Sequence, residues 1–205
     1  MNRKQMGIVF SSVLVGAFMA ACGGSSSSGA AATDSGWNGV FVDAGIQGVD
    51  WECGGVTGKT LAGGYFGICP IGTSVTFKIG SITLGTITET SDHIFTPQDV
   101  FGVPRTNTTD TRVTALAAAL LTLDNDPAAD AINVTPAAAA EFESAVNANG
   151  GSLTPANVGT INATTSAALG TTNVDTTAAA AHLAAVTLPA EPTQPGQTTG
   201  ASGTN

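Results

Sequence analysis

The chain has 205 residues, six Lys and Arg against fifteen Asp and Glu, and a formal charge of −9. That length fits one domain, or one small domain with additions. So few cations cannot neutralise a row of phosphates, which argues against nucleic acid as a partner, and the acidic balance implies solubility and attraction of cations.

Arg3 and Lys4 precede "MGIVFSSVLVGAFM", residues 6–19, an uncharged apolar run. It is short for a spanning helix and reads as the core of a signal peptide. The run ends at "MAAC", with Ala20 and Ala21 ahead of Cys22. This resembles the lipobox of bacterial lipoproteins, whose cysteine is lipidated and becomes the new N-terminus; an ordinary secretory signal with a chance cysteine is the other reading. The resemblance implies a signal peptide over 1–21 and attachment to the membrane through a lipid on Cys22. Gly23 in place of an aspartate points to the outer membrane of a bacterial envelope. Processing would remove Arg3 and Lys4 and leave Lys59, Lys78, Arg105 and Arg112 as the strong bases. The lipid, not attraction to anionic head groups, would then hold the chain. Residues 22–36 are rich in Gly, Ser and Ala and are expected to form a flexible tether.

Residues 37–104 read as a β module. "WNGVFVD" and "IQGVDWE" are short β-rich runs. Between Cys53 and Cys69 lies "GGVTGKTLAGGYFGI", which contains the Gly58-Lys59-Thr60 ending of a phosphate-binding loop. Such a loop needs a first glycine at position 53, where Cys53 stands, and a helix afterwards, where Gly63, Gly64 and Gly67 stand. A strand, a turn and a second strand carrying Tyr65, Phe66 and Ile68, together a hairpin, is the expectation instead. With Cys22 lipidated, Cys53 and Cys69 are the remaining pair, and in an exported chain a disulfide between them is the default. A metal site lacks nearby ligands, since His93 and His182 are distant in sequence. Further on, "SVTFKIG" alternates Val75, Phe77 and Ile79 with Thr76 and Lys78, and "SITLGTI" continues with Ile82 and Leu84. Two such runs meeting at Gly80-Ser81 predict a hairpin over 73–88. One apolar and one wet face predict an antiparallel β-sandwich or half-barrel.

Thr60, Gly64 and Tyr65 or Phe66 form a T-x-x-x-G-x-[FY] pattern. It resembles the β-sandwich modules called carboxypeptidase regulatory-like or transthyretin-like. "GTSVTFKIGSITLG", then "TPQDVFG", then "TRVTALAAALLTLDND" resemble, in that order, segments of uncharacterised bacterial surface lipoproteins and adhesin-like proteins. The cover is residues 39–126. The resemblance implies an envelope-exposed β module with a packed helix, and it carries no catalytic residues to transfer.

Residues 105–188 read as an alanine-rich helical extension. "DTRVTALAAALLTLD" places Val113, Leu116, Ala117, Leu120 and Leu121 on one helical face behind an Asp110 N-cap. "NVTPAAAAEFESAV" from Asn133 and "NVDTTAAAAHLAAV" from Asn173 align without a gap, as a duplication or as low-complexity coincidence. Thr135 and Thr154 precede prolines as N-caps do, and Gly150-Gly151 and Gly170 supply stops. Residues 189–205, with repeated Pro, Gly and Thr, form a disordered tail by composition. The fold class expected is therefore α+β: a small antiparallel β part, then helices, flanked by tether and tail.

Asp124, Asp126 and Asp130 are the oxygen-ligand cluster, but Ala128, Ala129 and the missing glycine do not fit the rest of a calcium loop. A solvated helix end before the Pro127 turn is the plainer reading. Ser91, Asp92 and His93 are adjacent, and adjacency does not make a triad, whose groups must converge in space. His182 occupies the place of Phe142 in the aligned segments and reads as a helix-face residue. Asp50 and Glu52 flank Trp51 on a strand and are expected to face solvent. Trp37, Trp51 and Tyr65, with Phe66, are either an exposed platform for a glycan or core residues. The expected role is non-enzymatic and cofactor-free: binding an envelope protein or glycan in adhesion or envelope assembly. A carrier for a small ligand or glycan is the alternative.

Overall fold

The computed structural model describes residues 36–124 and 131–192. Cys22, Asp126 and Asp130, with the signal segment, nearly all of the tether and most of the tail, lie outside the described residues. The fold is α+β. Among the described residues seven strands come first: β1 (Gly36–Phe41), β2 (Asp50–Cys53), β3 (Val56–Lys59), β4 (Tyr65–Pro70), β5 (Val75–Ile79), β6 (Ile82–Ile87) and β7 (Ile94–Phe95). They form two small sheets, in the orders β4-β1-β7 and β3-β2-β5-β6. All pairings are antiparallel except β1 with β7.

The alternation in "SVTFKIG" does what its period dictates. Val75, Phe77 and Ile79 are buried while Thr76 and Lys78 lie on the wetter face. Ile79 pairs with Ile82 across Gly80-Ser81, and the positive φ of Gly80 (59°) serves the tight turn. The register shifts after Phe77, which faces Gly85 while Lys78 faces Thr83. The extra residue, Leu84, is thereby left half-buried instead of continuing the alternation strictly.

The sheets pack face to face through aromatic rings. Phe41 stacks on Phe77 at 4.2 Å between centroids, and Phe66 meets Phe77 edge-on at 5.3 Å. The stretch between the cysteines departs from expectation here: β3 and β4 are not partners in one hairpin but outer strands of different sheets. The hairpin is β2–β3, turned by Gly54 and Gly55, both at positive φ. A single 3-10 turn, Ala62–Gly64, then carries the chain across to β4. The Cys53–Cys69 disulfide joins β2 to β4, one sheet to the other, and both cysteines are buried.

Five helices follow among the described residues: α1 (Pro97–Val100), α2 (Thr111–Leu123), α3 (Pro136–Ala148), α4 (Val158–Leu169) and α5 (Thr176–Ala185). None is long and apolar enough to cross a membrane. α2 was expected to bury one face; it is buried nearly all round, at 113–120 and 122–123, and Leu121 is only half-buried. Leu116, Leu120 and Leu123 join the core shared with both sheets and with Phe142 and Ile161. Val113, Ala117 and Ala118 meet Val158 of α4 and Ala179 and Leu183 of α5 on the opposite side. Its alanines have no polar group to keep wet, so a helix with neighbours on both sides stays apolar around its circumference.

Local chemistry sets the helix ends. The Asp110 carboxylate accepts from the Arg112 N–H at 2.9 Å, and the Thr135 hydroxyl accepts from the Ala138 N–H at 3.1 Å with Pro136 first in the helix. Thr135→Ala is expected to lower stability by about 1 kcal/mol, read as a shift in the urea midpoint at unchanged slope. Thr154 does not cap α4. Its N–H donates to Asn157 Oδ1 at 2.8 Å in a preceding turn, and Asn157 is the N-cap. Gly151 donates to the Val146 carbonyl after α3, and Gly170 ends α4 at φ 71°. α3 and α5 begin at matching places in the aligned segments, yet their buried faces differ. α3 buries Ala138, Phe142, Ala145 and Val146; α5 buries Ala179 and Leu183 and leaves His182 beside them.

Two tethers position α5 and α3. The linker before α5 is tied to α2, where Thr122 Oγ1 accepts from the Val174 N–H at 3.1 Å and Thr171 Oγ1 donates to the Thr122 carbonyl at 2.9 Å. The segment before α3 is tied to the β module, where Gln47 N–H donates to the Ile132 carbonyl and Val134 N–H donates to that of Gln47.

Candidate functional site

Gly58-Lys59-Thr60 forms no anion cradle. Lys59 ends β3 and its ammonium lies 2.6 Å from the Asp50 carboxylate across the hairpin. Thr60 is buried, and its hydroxyl accepts from the Val49 N–H at 3.0 Å. A strand and a three-residue turn follow where an anion site needs a helix N-terminus.

The folding of the chain creates a different cluster. Beyond β1 the chain doubles back through Ala44 and Gly45, both at positive φ, and the Ile46 N–H donates to the Phe41 carbonyl at 3.0 Å. That turn leaves Asp43 wholly inside, at 0 % exposure. α5 covers it and presents His182, whose Nε2 lies 3.0 Å from Asp43 Oδ1. The contact is close but not aligned as a hydrogen bond, and neither carboxylate oxygen has another hydrogen-bond partner among the described residues. Burial pushes the Asp43 carboxyl above the ordinary carboxylate range, with His182 pulling the other way. The Asp43 carboxylate in turn raises the His182 imidazole, against a smaller opposing effect of burial. His182 borders a cavity of about 360 Å³ together with Asp124, Thr171 and Val174. Asp43 borders another of about 460 Å³ with Gln98, Arg105 and Leu183.

A buried Asp–His pair is half of an acid–base device, and the other half is a nucleophile at the free face of the imidazole. The Thr171 hydroxyl beside it is committed to the Thr122 carbonyl. What the pair does in this geometry is fasten α5 to the end of β1.

The residues singled out from sequence distribute as follows. Ser91, Asp92 and His93 do not converge: Asp92 is gripped by Arg105 at 2.5 Å, which holds its carboxyl down to about 2. His93 Nε2 lies 3.0 Å from Glu89, and its ring stacks on Trp37. Arg105 also holds Asp99, which with Thr96 forms the capping box of α1. Asp50 and Glu52 reach Lys59 and Lys78 at 2.6 and 2.8 Å on the outer face of their sheet. Asp124 is buried and accepts from the Asn133 N–H at 3.2 Å, so the first residue of the acidic cluster closes a loop. No group of three or more metal-ligating side chains forms among the described residues.

The aromatic platform is corrected. Trp37 is 2 % exposed and Trp51 6 %, while Tyr65 is 47 % exposed. Trp37 sits on the middle strand of its sheet and packs between Phe66, Phe95 and His93. The Trp51 indole lies over Gly58 of β3, where a side chain would displace it, and packs tightly against Gly67 of β4. It thus seals the seam between the two outer strands.

Beside that seam lie five of the six large apolar side chains that are exposed among the described residues. Val56, Leu61, Tyr65, Ile68 and Ile71 are all exposed, Leu61 and Ile71 to 65 and 68 %. They fall on β3, on β4 and on the turns after each, at the edge shared by both sheets. The chain matches no family model, and no curated protein or solved structure shows significant similarity to it.

Proposed function

We propose that this chain is a lipid-anchored protein of the bacterial cell envelope, at the outer membrane, whose folded part has a non-enzymatic role in adhesion or envelope assembly. The observation that carries the binding role is the apolar edge at β3 and β4. Single exposed apolar residues need no explanation, but five gathered on one edge mark a contact surface. The buried staple Cys53–Cys69 supports an oxidising compartment, and the Cys22 lipobox supports the anchor. A carrier of a small ligand is the second reading. In its favour is a cavity of about 230 Å³ lined by Leu84, Phe101, Leu116 and Leu153 with Arg112 among its walls.

The test of the anchor is growth with a labelled fatty acid followed by detergent phase partition. The wild-type chain is expected to carry label and enter the detergent phase. Cys22→Ser is expected to lose the label and move to the aqueous phase. Label retained by Cys22→Ser, or a wild-type chain without label, would overturn the reading.

A further inference from the structure

We propose that the edge formed by Val56, Leu61, Tyr65, Ile68 and Ile71 lies on the lipid surface itself, so that the module rests against the bilayer beside its anchor; this rests on the reading of Cys22 as the lipidated residue.

The first support is where the anchored end of the chain arrives. Gly36, the first residue of β1, pairs with Pro70 of β4. A methyl group at Gly36 would stand 2.1 Å from the Ile68 side chain. Residues 23–35 separate Cys22 from that point, and even fully extended they span no more than about 50 Å. The anchored end of the chain therefore enters the fold beside the apolar edge.

The second support is charge. From Cys53 to Thr88 there is no Asp or Glu, although the chain carries fifteen. The charged residues of that stretch are Lys59 and Lys78, and they hold Asp50 and Glu52 on the neighbouring strand. Glu89, just beyond, is turned to the Gly72 N–H at 3.1 Å. An otherwise acidic protein thus presents to anionic head groups a long segment free of acids. Tyr65 adds an apolar ring with a polar tip, the chemistry favoured at a membrane–water boundary.

The third support concerns the alternatives. β3 has four residues and β4 six, they belong to different sheets, and the turn Ala62–Gly64 separates them. A second copy or a peptide adding a strand would find no continuous ladder to extend. A bilayer needs no ladder; its attraction scales with the apolar area it covers.

The test uses the mature chain with Cys22→Ser, which has no lipid, and vesicles of phosphatidylethanolamine and phosphatidylglycerol. It is expected to co-sediment with vesicles, and Leu61→Ser/Ile71→Ser in the same chain is expected to bind at least about tenfold more weakly. Both positions are exposed, so an unchanged thermal midpoint checks the fold. In the lipidated protein, the indole introduced by Tyr65→Trp is expected to be quenched by brominated acyl chains, above the signal of the parent. The proposal is overturned if the unlipidated chain ignores vesicles or if the double variant binds equally. It is equally overturned if the edge drives self-association without lipid that Leu61→Ser/Ile71→Ser abolishes. Vesicle binding is read without any label at Cys22, so failure of the anchor and failure of the edge are seen separately.

Discussion

His182→Ala is expected to destabilise the protein by about 3–5 kcal/mol at neutral pH, the cost of leaving a buried charge without its partner. Asp43 has no exposure and, among the described residues, no hydrogen bond to take over. Removing the imidazole forces it to ionise unpaired, to bind a proton, or to expel α5. Asp43→Asn in the His182→Ala background is expected to recover part of the loss, because it removes the charge. The pH dependence has a definite sign. The His182 pKa is raised above its ordinary 6.5, so its contribution is complete below that value and is lost as pH rises through the folded value. The Asp43 pKa is also raised, from 3.8, so its ionisation likewise draws stability down as pH rises. Arg105 and Asp124, which line the flanking cavities, already have partners in Asp92 and in the Asn133 N–H. Urea unfolding of the wild type should therefore weaken from pH 6 to pH 9, and more steeply than Asp43→Asn. A flat wild-type profile, or a loss below about 1 kcal/mol for His182→Ala, would show that the pair is not coupled in this way.

This pair was invisible in the sequence for a physical reason. Asp43 lies in a turn after the first strand and His182 in the last helix, and neither has a neighbour of matching chemistry along the chain. Burial of Asp43 follows from the Ala44–Gly45 reversal and from α5 lying over it, both tertiary facts. Features set by local rules were legible: the β5–β6 hairpin by its period of two, the caps Asp110 and Thr135, and the stops at Gly151 and Gly170. The Cys53–Cys69 bond was reached by counting thiols, with no geometry at all. What failed needed knowledge of which sheet a strand joins. The two strands around Gly58-Lys59-Thr60 alternate and turn as a hairpin would, yet β3 pairs back to β2 while β4 crosses to β1. The same ambiguity hid the fate of the aromatics, since Trp37 and Trp51 face inward and Tyr65 outward. The apolar edge follows from that crossing, because it makes β3 and β4 the outer strands of two sheets on one side.

Cys53→Ala/Cys69→Ala is expected to cost about 2–5 kcal/mol, centred near the ~3 kcal/mol of the chain-entropy model for a loop of this size. The separation of 16 residues contains β3, the crossing turn and most of β4. In the unfolded chain the bond therefore restrains the segment that must later divide itself between two sheets. In the folded protein it is the one side-chain cross-link between the sheets among the described residues, beside packing such as Phe41 on Phe77 and Trp51 on Phe66. Both cysteines are buried, so a thiol reductant reaches the bond only when the edge opens. Native-state reduction should accordingly be slow and should quicken with Trp51→Ala, which unseals the seam between Gly58 and Gly67. Urea unfolding with and without reductant, set beside the double alanine variant, measures the equilibrium term. A loss under about 1 kcal/mol would mean that aromatic packing alone holds the sheets together. The expected larger loss carries a consequence for the apolar edge: β3 and β4 would part without the staple, and vesicle binding should weaken in the reduced protein even though none of the five exposed side chains has changed.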